Sequence, residues 1–164
     1  MKRIGAALLC LAFAACGFQL RGTSEVPFDK LYVPNANAGL GLDLKRNLQA
    51  STRARVVDDP KEADAQIQFL EETRQKEILS LTGAGRVREF QLRYRVGFRV
   101  HDGKGNDYVP ASTVQLQRDM TYNDTEILAK EAEEQFLFRD MQSDMVQQIM
   151  RRLAASKKPT PRVP

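Results

Sequence analysis

"FQLRYRVGFRVH", residues 90–101, decides the fold. Phe90, Leu92, Tyr94, Val96, Phe98 and Val100 take every second position, and Gln91, Arg93, Arg95, Gly97, Arg99 and His101 fill the places between. Side chains of a strand point alternately to its two faces, so this stretch is one long β-strand with an apolar face and a polar face. Burial on one face only is the habit of antiparallel sheets. "DGKGN" (Asp102–Asn106) follows directly and is hairpin chemistry. The returning strand is expected at about Thr113–Thr121, with Val114, Leu116 and Met120 on one face and Gln115, Gln117 and Asp119 opposite. Upstream, Ile67 and Phe69 alternate with Gln66 and Gln68, and "EETRQKEILSL" is open to that strand as an extension.

The period changes on both sides of these strands. Leu40, Leu44 and Leu48 recur every four residues and predict a helix from about Leu40 to Thr52. Before it, "KLYVP" (Lys30–Pro34) is a short strand closed by proline, and "NANAGLG" is turn chemistry. "DDPKEAD" (Asp58–Asp64) reads as a polar loop. After the last strand, Phe138, Met141, Met145, Ile149 and Leu153 step by three or four and form the face of a long helix. Its start is expected near Asp124 or Thr125, residue types that cap helices. Its methionines read as core, with a pliable binding groove as the alternative. "SKKPTPRVP" (residues 156–164) has no apolar period and three prolines, the composition of a disordered tail.

The order strand, helix, three strands, helix predicts an α+β domain, two α-helices packed on one face of a four-stranded, mostly antiparallel sheet. The other sheet face would be uncovered and would display glutamines and arginines. Arg93, Arg95 and Arg99 form a basic stripe there, which is either a solvated surface or a face that meets a polar partner.

The first residues bear on location. Lys2 and Arg3 precede Ile4–Ala15, twelve uncharged residues. A spanning helix needs about 20, so this run fits the core of a signal peptide. Ala14 and Ala15 precede Cys16, and "FAAC" resembles the lipobox of bacterial lipoproteins, with Phe13 where leucine is usual. The expectation is cleavage after residue 15 and lipidation of Cys16; an ordinary secretory signal with an incidental cysteine is the alternative. Acyl chains contribute about 0.8 kcal/mol per buried CH₂, so several chains tether a domain to a membrane without spanning it. By resemblance to lipoprotein sorting, Gly17, in the place where aspartate retains a lipoprotein at the inner membrane, points to the outer membrane.

Composition removes many chemistries. Loss of the leader takes Lys2 and Arg3 with it, so 25 basic residues become 23 against 21 acidic ones, too mild a balance to argue for nucleic acid. Cys10 leaves with the leader and Cys16 carries lipid, so no disulfide is expected. With one histidine, His101, and no free thiol there is no zinc site of the Cys/His kind and no Cys–His pair. A serine nucleophile would depend on His101, and no G-x-S-x-G is present. Gly83 and Gly85 in "TGAGR" lack the spacing of a phosphate-cradling loop and read as a turn. No cofactor and no catalytic residue is expected.

"CGFQLRG", "KLYVP", "GAGRVREFQLRYRV" and "RDMTYNDTEILAKEAEEQFLFRDMQSDMVQQIMRRL" occur in this order over nearly the whole mature chain. In that arrangement the sequence resembles the LPS-assembly lipoprotein family, LptE. The resemblance implies a single lipid-anchored domain over residues 16–155, with two helices on a four-stranded sheet. It implies a plug inside the outer-membrane β-barrel (LptD-like) that inserts lipopolysaccharide into the outer leaflet, a role in assembling that barrel, and binding of lipopolysaccharide without enzymatic activity. It also implies that Lys130, in the "LAK" helix start, contacts lipopolysaccharide, with Arg86 and Arg88 after the "TGAG" turn as a second basic region. Two other readings of the residues stand beside it: an accessory lipoprotein of a different outer-membrane machine, and a tethered periplasmic hydrolase using carboxylates.

Overall fold

The computed structural model describes residues 25–159. The leader, Cys16 and residues 160–164 of the C-terminal segment lie outside the described residues. The elements are β1 (Lys30–Tyr32), α1 (Gly39–Ser51), β2 (Arg55–Val57), β3 (Ala65–Leu81), β4 (Val87–His101), β5 (Asp107–Thr121) and α2 (Ile127–Ala155). Single 3₁₀ turns occupy Pro60–Glu62 and Asp124–Glu126.

The sheet has five strands in the order β2-β1-β3-β4-β5, and it is mixed. This corrects the expected four-stranded, mostly antiparallel sheet. β1 runs parallel to β2 on one side and to β3 on the other, while β3, β4 and β5 are antiparallel. Parallel neighbours need a crossover, and α1 is the crossover between β1 and β2. β2 is three residues long, too short for a period of two to show, and it exists because Arg55–Val57 pair in register with Lys30–Tyr32.

One core joins the helices to the sheet. Leu40, Leu44 and Leu48 of α1, Met141, Met145, Ile149 and Leu153 of α2, and Leu92, Tyr94, Val96, Phe98 and Val100 of β4 are all buried. The methionines are therefore core. Between the helices, Gln142 and Gln147 of α2 donate to Asp43 and Asn47 of α1. Gly41 faces the turn before α1 so closely that a Cβ there would lie 2.6 Å from the carbonyl oxygens of both Pro34 and Asn35.

Two boundaries differ from expectation. β5 begins at Asp107, earlier than Thr113, because Tyr108 and Val109 are buried at its start. Pro110 is tolerated there because β5 is an edge strand. Before α2, Asn123 caps the Asp124–Glu126 turn, its oxygen accepting from Thr125 N at 3.2 Å, and the α-helix proper starts at Ile127 without a side-chain cap of its own.

A third difference lies inside β3. Phe69 pairs with Phe98 and Glu71 with Gly97, so Leu70 is an extra residue, a β-bulge. Beyond it Glu71, Thr73, Gln75 and Glu77 share the uncovered face with Gln68, while Glu72, Arg74 and Lys76 turn toward the helices.

Candidate functional site

The strands are long for a domain of this size. At about 3.3 Å per residue, the 17 residues of β3 carry the sheet over more than about 50 Å. One end holds the Asp102–Asn106 turn and the first described residues. The other end, here called the tip, holds the β3–β4 turn, the end of β5 and the start of α2.

The tip is built by local chemistry. Thr82 N donates to Arg86 O at 2.7 Å, Gly85 N donates to Thr82 O at 2.9 Å, and Arg86 N reaches Thr82 Oγ1 at 3.2 Å. Gly85 sits at φ +73°, a backbone conformation that glycine adopts without strain. Tyr122 N donates to Arg88 O at 2.8 Å and ties the end of β5 to the start of β4. Lys130, in the first turn of α2, donates to Thr121 Oγ1 at 3.2 Å. Arg86, Arg88 and Lys130 are thus gathered at one end of the domain.

Their surroundings differ. Lys130 pairs with Glu133 Oε2 at 2.8 Å, and its side chain is only 14% exposed. Arg88 contacts Glu89 Oε2 at 3.2 Å and Ser80 Oγ at 3.3 Å. The Ser80 hydroxyl donates to Glu89, and this bond, with Arg88 beside it, holds the Glu89 carboxyl below the usual carboxylate range. Arg86 is exposed and has no ion pair among the described residues. A further cation is present that the sequence did not single out. Lys76 Nζ lies 2.6 Å from Glu134 and 4.4 Å from the centre of the Phe90 ring, which itself packs edge-on against Tyr122. Its place on the helix side depends on the bulge at Leu70, which no residue pattern announces.

The uncovered sheet face carries Arg93, Arg95 and Arg99, as expected, but not as a free basic stripe. Arg93 pairs with Glu77 at 2.9 Å and Arg95 with Glu71 at 3.4 Å, and Arg99 donates to Gln68 at 2.8 Å. The face is a cross-strand lattice of fixed guanidinium groups and their acceptors. Beneath it, Tyr94 is buried and its hydroxyl donates to Glu72 at 2.7 Å. Burial, and then the neighbouring Glu72 carboxylate, push the Tyr94 phenol well above its ordinary value.

His101 has a local task. Its Nδ1 accepts from Gly103 N at 3.0 Å and so helps close the turn that Asp102 also orders through Lys104 N and Asn106. A cavity of about 510 Å³ lies at this end, lined by Phe28, Asp64, Asp102, Asn106, Tyr108 and Lys158 among others. Among the described residues no group of histidine, cysteine or acidic side chains is arranged to hold a metal ion.

A family model described as "LptE: Lipopolysaccharide-assembly" matches residues 28–153. "LPS-assembly lipoprotein LptE" of Yersinia enterocolitica is 31% identical over 151 residues, covering 89% of this chain and 72% of that protein. Its counterpart in Photorhabdus laumondii is 27% identical, covering 89% and 81%. Among solved structures, lipoprotein B of Nitrosomonas europaea superposes with a TM-score of 0.73 at 42% identity, covering 85% of this chain and 91% of that one. A minor lipoprotein of Acinetobacter baumannii gives 0.65 at 26% identity, covering 84% and 100%. The match spans both helices and all five strands, and the chain belongs to the LptE family of lipopolysaccharide-assembly lipoproteins, which are not enzymes.

Proposed function

We propose that the protein is an outer-membrane lipoprotein, tethered through Cys16, that sits as a plug inside the lipopolysaccharide-translocating β-barrel, assists assembly of that barrel and binds lipopolysaccharide at its tip. The observation that carries the reading is the gathering of Arg86, Arg88 and Lys130 at the end of the sheet remote from the first described residues. Lipopolysaccharide carries phosphates on lipid A and the inner core. A binder needs cationic donors on a fixed frame, and the closed turn at Thr82–Arg86 and the first turn of α2 supply one. The start of α2 adds backbone N–H groups that favour an anion.

The uncovered face supports the plug. A barrel lumen is polar and wet, and a surface of guanidinium groups held by Glu71, Glu77 and Gln68 offers directional hydrogen bonds without a large net field.

Lys130→Glu combined with Arg86→Glu tests the binding. A charge-assisted contact is worth about 1.5–3 kcal/mol, so the double variant should lose at least about tenfold in lipopolysaccharide affinity while still folding and co-purifying with the barrel. Unchanged affinity in a folded, barrel-bound variant would move the site elsewhere. Photocrosslinking from positions on the uncovered face should trap the barrel, and from the tip should trap lipopolysaccharide.

A further inference from the structure

The sheet has two long open edges, and they are not alike. β5 is one. The other is β3, because β1 pairs with it only at Leu31–Ala65 and Tyr32–Gln66 and then turns away. From Gln68 to Leu81 every residue except Phe69, Thr73 and Ser80 is exposed. The register shows which main-chain groups are free. Tyr122 N donates to Arg88 O, so over this stretch β4 bonds to β5 through its even-numbered residues and to β3 through the odd ones. Glu71, Thr73, Gln75 and Glu77 therefore bond to β4, while the N–H and C=O of Glu72, Arg74, Lys76 and Ile78 point to the open side.

An open edge invites another strand, and proteins usually guard it. β5 is guarded. Arg152 donates to Thr113 O at 3.0 Å and Arg118 to Gln117 O at 3.1 Å, Asp140 and Asp144 hold Arg118 in place, and Pro110 offers no N–H. On β3, among the described residues, no side chain bonds to the main chain between Gln68 and Leu81. Its charged side chains do not screen the edge either, since Glu72, Arg74 and Lys76 are turned to Tyr94, Gln142 and Glu134. Four large apolar side chains lie exposed along this strand, Leu70, Ile78, Leu79 and Leu81, at 46% to 58%. Leu70 and Leu79 are bulge residues, and between them Glu71–Ile78 is regular strand. Unpaired donors and acceptors in a row, with apolar groups at both ends, fit an extended polypeptide.

We propose that the open edge of β3 over Glu71–Ile78 takes up an extended segment of the barrel as an added strand. This rests on the reading of the protein as a plug and assigns the mode of contact. The edge borders the uncovered face, so one partner set against that face reaches both. A second copy of the chain is the other strand at hand, and charge opposes it. The two antiparallel self-pairings that overlap Glu71–Ile78 most fully are centred on Arg74 or on Gln75. The first sets Arg74 against its own copy and Glu71 against Glu77, and the second sets Arg74 against Lys76. Like charges directly opposite are unfavourable. The barrel's segment is polar at its centre, beside Thr73 and Gln75, and apolar where it passes Leu70 and Ile78.

Amide hydrogen exchange, read residue by residue in the free protein and in its purified complex with the barrel, tests this. In the free protein the amides of Glu72, Arg74, Lys76 and Ile78 should exchange fast and those of Thr73, Gln75 and Glu77 slowly, because only the second set is bonded. In the complex the first set should slow by at least about tenfold, with the outward amides of Gln115 and Gln117 on β5 unchanged. Ile78→Pro removes one edge donor at an exposed side chain, where a strand tolerates proline, so barrel co-purification should fall about tenfold with the fold intact. Ile78→Thr keeps the N–H and should co-purify nearly as the wild type does. A complex that forms with the four amides still fast would overturn the inference and leave the plug reading standing, as would slowing on β5 alone or full co-purification of a folded Ile78→Pro. Slowing in the free protein that grows with its concentration would give the edge to a second copy and overturn the inference too. Failure of the wild type to bind the barrel would remove the plug reading and the inference with it. The exchange comparison decides by itself should Ile78→Pro fail to fold.

Discussion

Arg95 Nε lies 3.4 Å from Glu71 Oε2 across β4 and β3, and the pair exists because β3 has one residue too many. Without the extra residue, alternation from the buried Ile67 would turn Glu71 toward the helices and leave Arg95 facing Glu72. The bulge at Leu70 shifts the phase once, so Glu71 and Glu77 meet arginines on the uncovered face while Glu72, Arg74 and Lys76 are set against α2 and Tyr94.

The paired lattice changes what the arginines of β4 are expected to do. Exposed ion pairs contribute about 0–1 kcal/mol each, so Arg93→Gln, Arg95→Gln and Arg99→Gln together should lower the melting temperature of the free protein only slightly. Assembly with the barrel should fall clearly, because glutamine cannot reproduce the planar fork of donors. Co-purification yield measures it, and an undiminished yield would reduce the face to a solvated surface.

Tyr94 and Glu72 give a prediction with a pH sign. The phenol is buried and bonded to a carboxylate, so its folded-state pKa lies above the ordinary value of 10.0. Stability from the neutral phenol is complete below that value and declines as the pH rises above it, since the unfolded chain ionises first. Tyr94→Phe should cost about 0.5–1.5 kcal/mol at neutral pH for the lost hydrogen bond. The variant should also lose part of the alkaline destabilisation above about pH 10, where tyrosines ordinarily begin to ionise. Denaturant melts at neutral and alkaline pH check both.

How much of this was legible in the sequence depends on whether each residue's fate is set locally. β4 could be read because Leu92, Tyr94, Val96, Phe98 and Val100 all face one core, so alternation survives along the strand. The stripes Leu40–Leu44–Leu48 and Met141–Met145–Ile149 could be read for the same reason. β2 could not, since three residues carry no period and its strand character comes from β1. The Glu71 and Glu77 partners could not, because a bulge is a property of two strands in register. At the tip the cations were visible, whereas the pairing of Lys130 with Thr121 depends on where α2 starts. Its pairing with Glu133 is an i,i+3 spacing that the sequence does contain. Exposed Leu79 and Leu81 looked like ordinary strand residues, because exposure at a strand end depends on which neighbour fails to cover it.

Gly41 and Gly97 should differ in their tolerance of a methyl group. At Gly41 an added Cβ would meet backbone oxygens at 2.6 Å, and backbone cannot step aside as a flexible side chain does. Gly41→Ala should cost about 1–3 kcal/mol. At Gly97 the nearest atoms, on Glu71 and Leu70, are 3.5–3.6 Å away, ordinary van der Waals contact, so Gly97→Ala should be close to neutral. For scale, Phe98→Ala, at a fully buried ring, should cost about 3–5 kcal/mol. Urea midpoints of the three variants order them.

Lys130 offers a prediction in the direction of tighter binding. Its ammonium is held by Glu133 at 2.8 Å and by Thr121 at 3.2 Å, so a phosphate arriving at the tip competes with a carboxylate already in place. Glu133→Gln removes that competitor, keeps a hydrogen-bond acceptor beside Lys130 and raises the local positive charge by one. If Lys130 is a phosphate donor, lipopolysaccharide affinity should rise several-fold, most at low ionic strength where exposed charges are least screened. Combining Glu133→Gln with Lys130→Gln should remove most of the gain, since its largest part comes from freeing the ammonium. A gain of full size in the absence of Lys130 would show that only the overall charge of the tip matters, and a variant with no gain at any salt concentration would take Lys130 out of the site. Both measurements need only the folded protein and a lipopolysaccharide titration, because Glu133→Gln leaves the half-buried Lys130 an acceptor at the same place and Thr121 as its second partner.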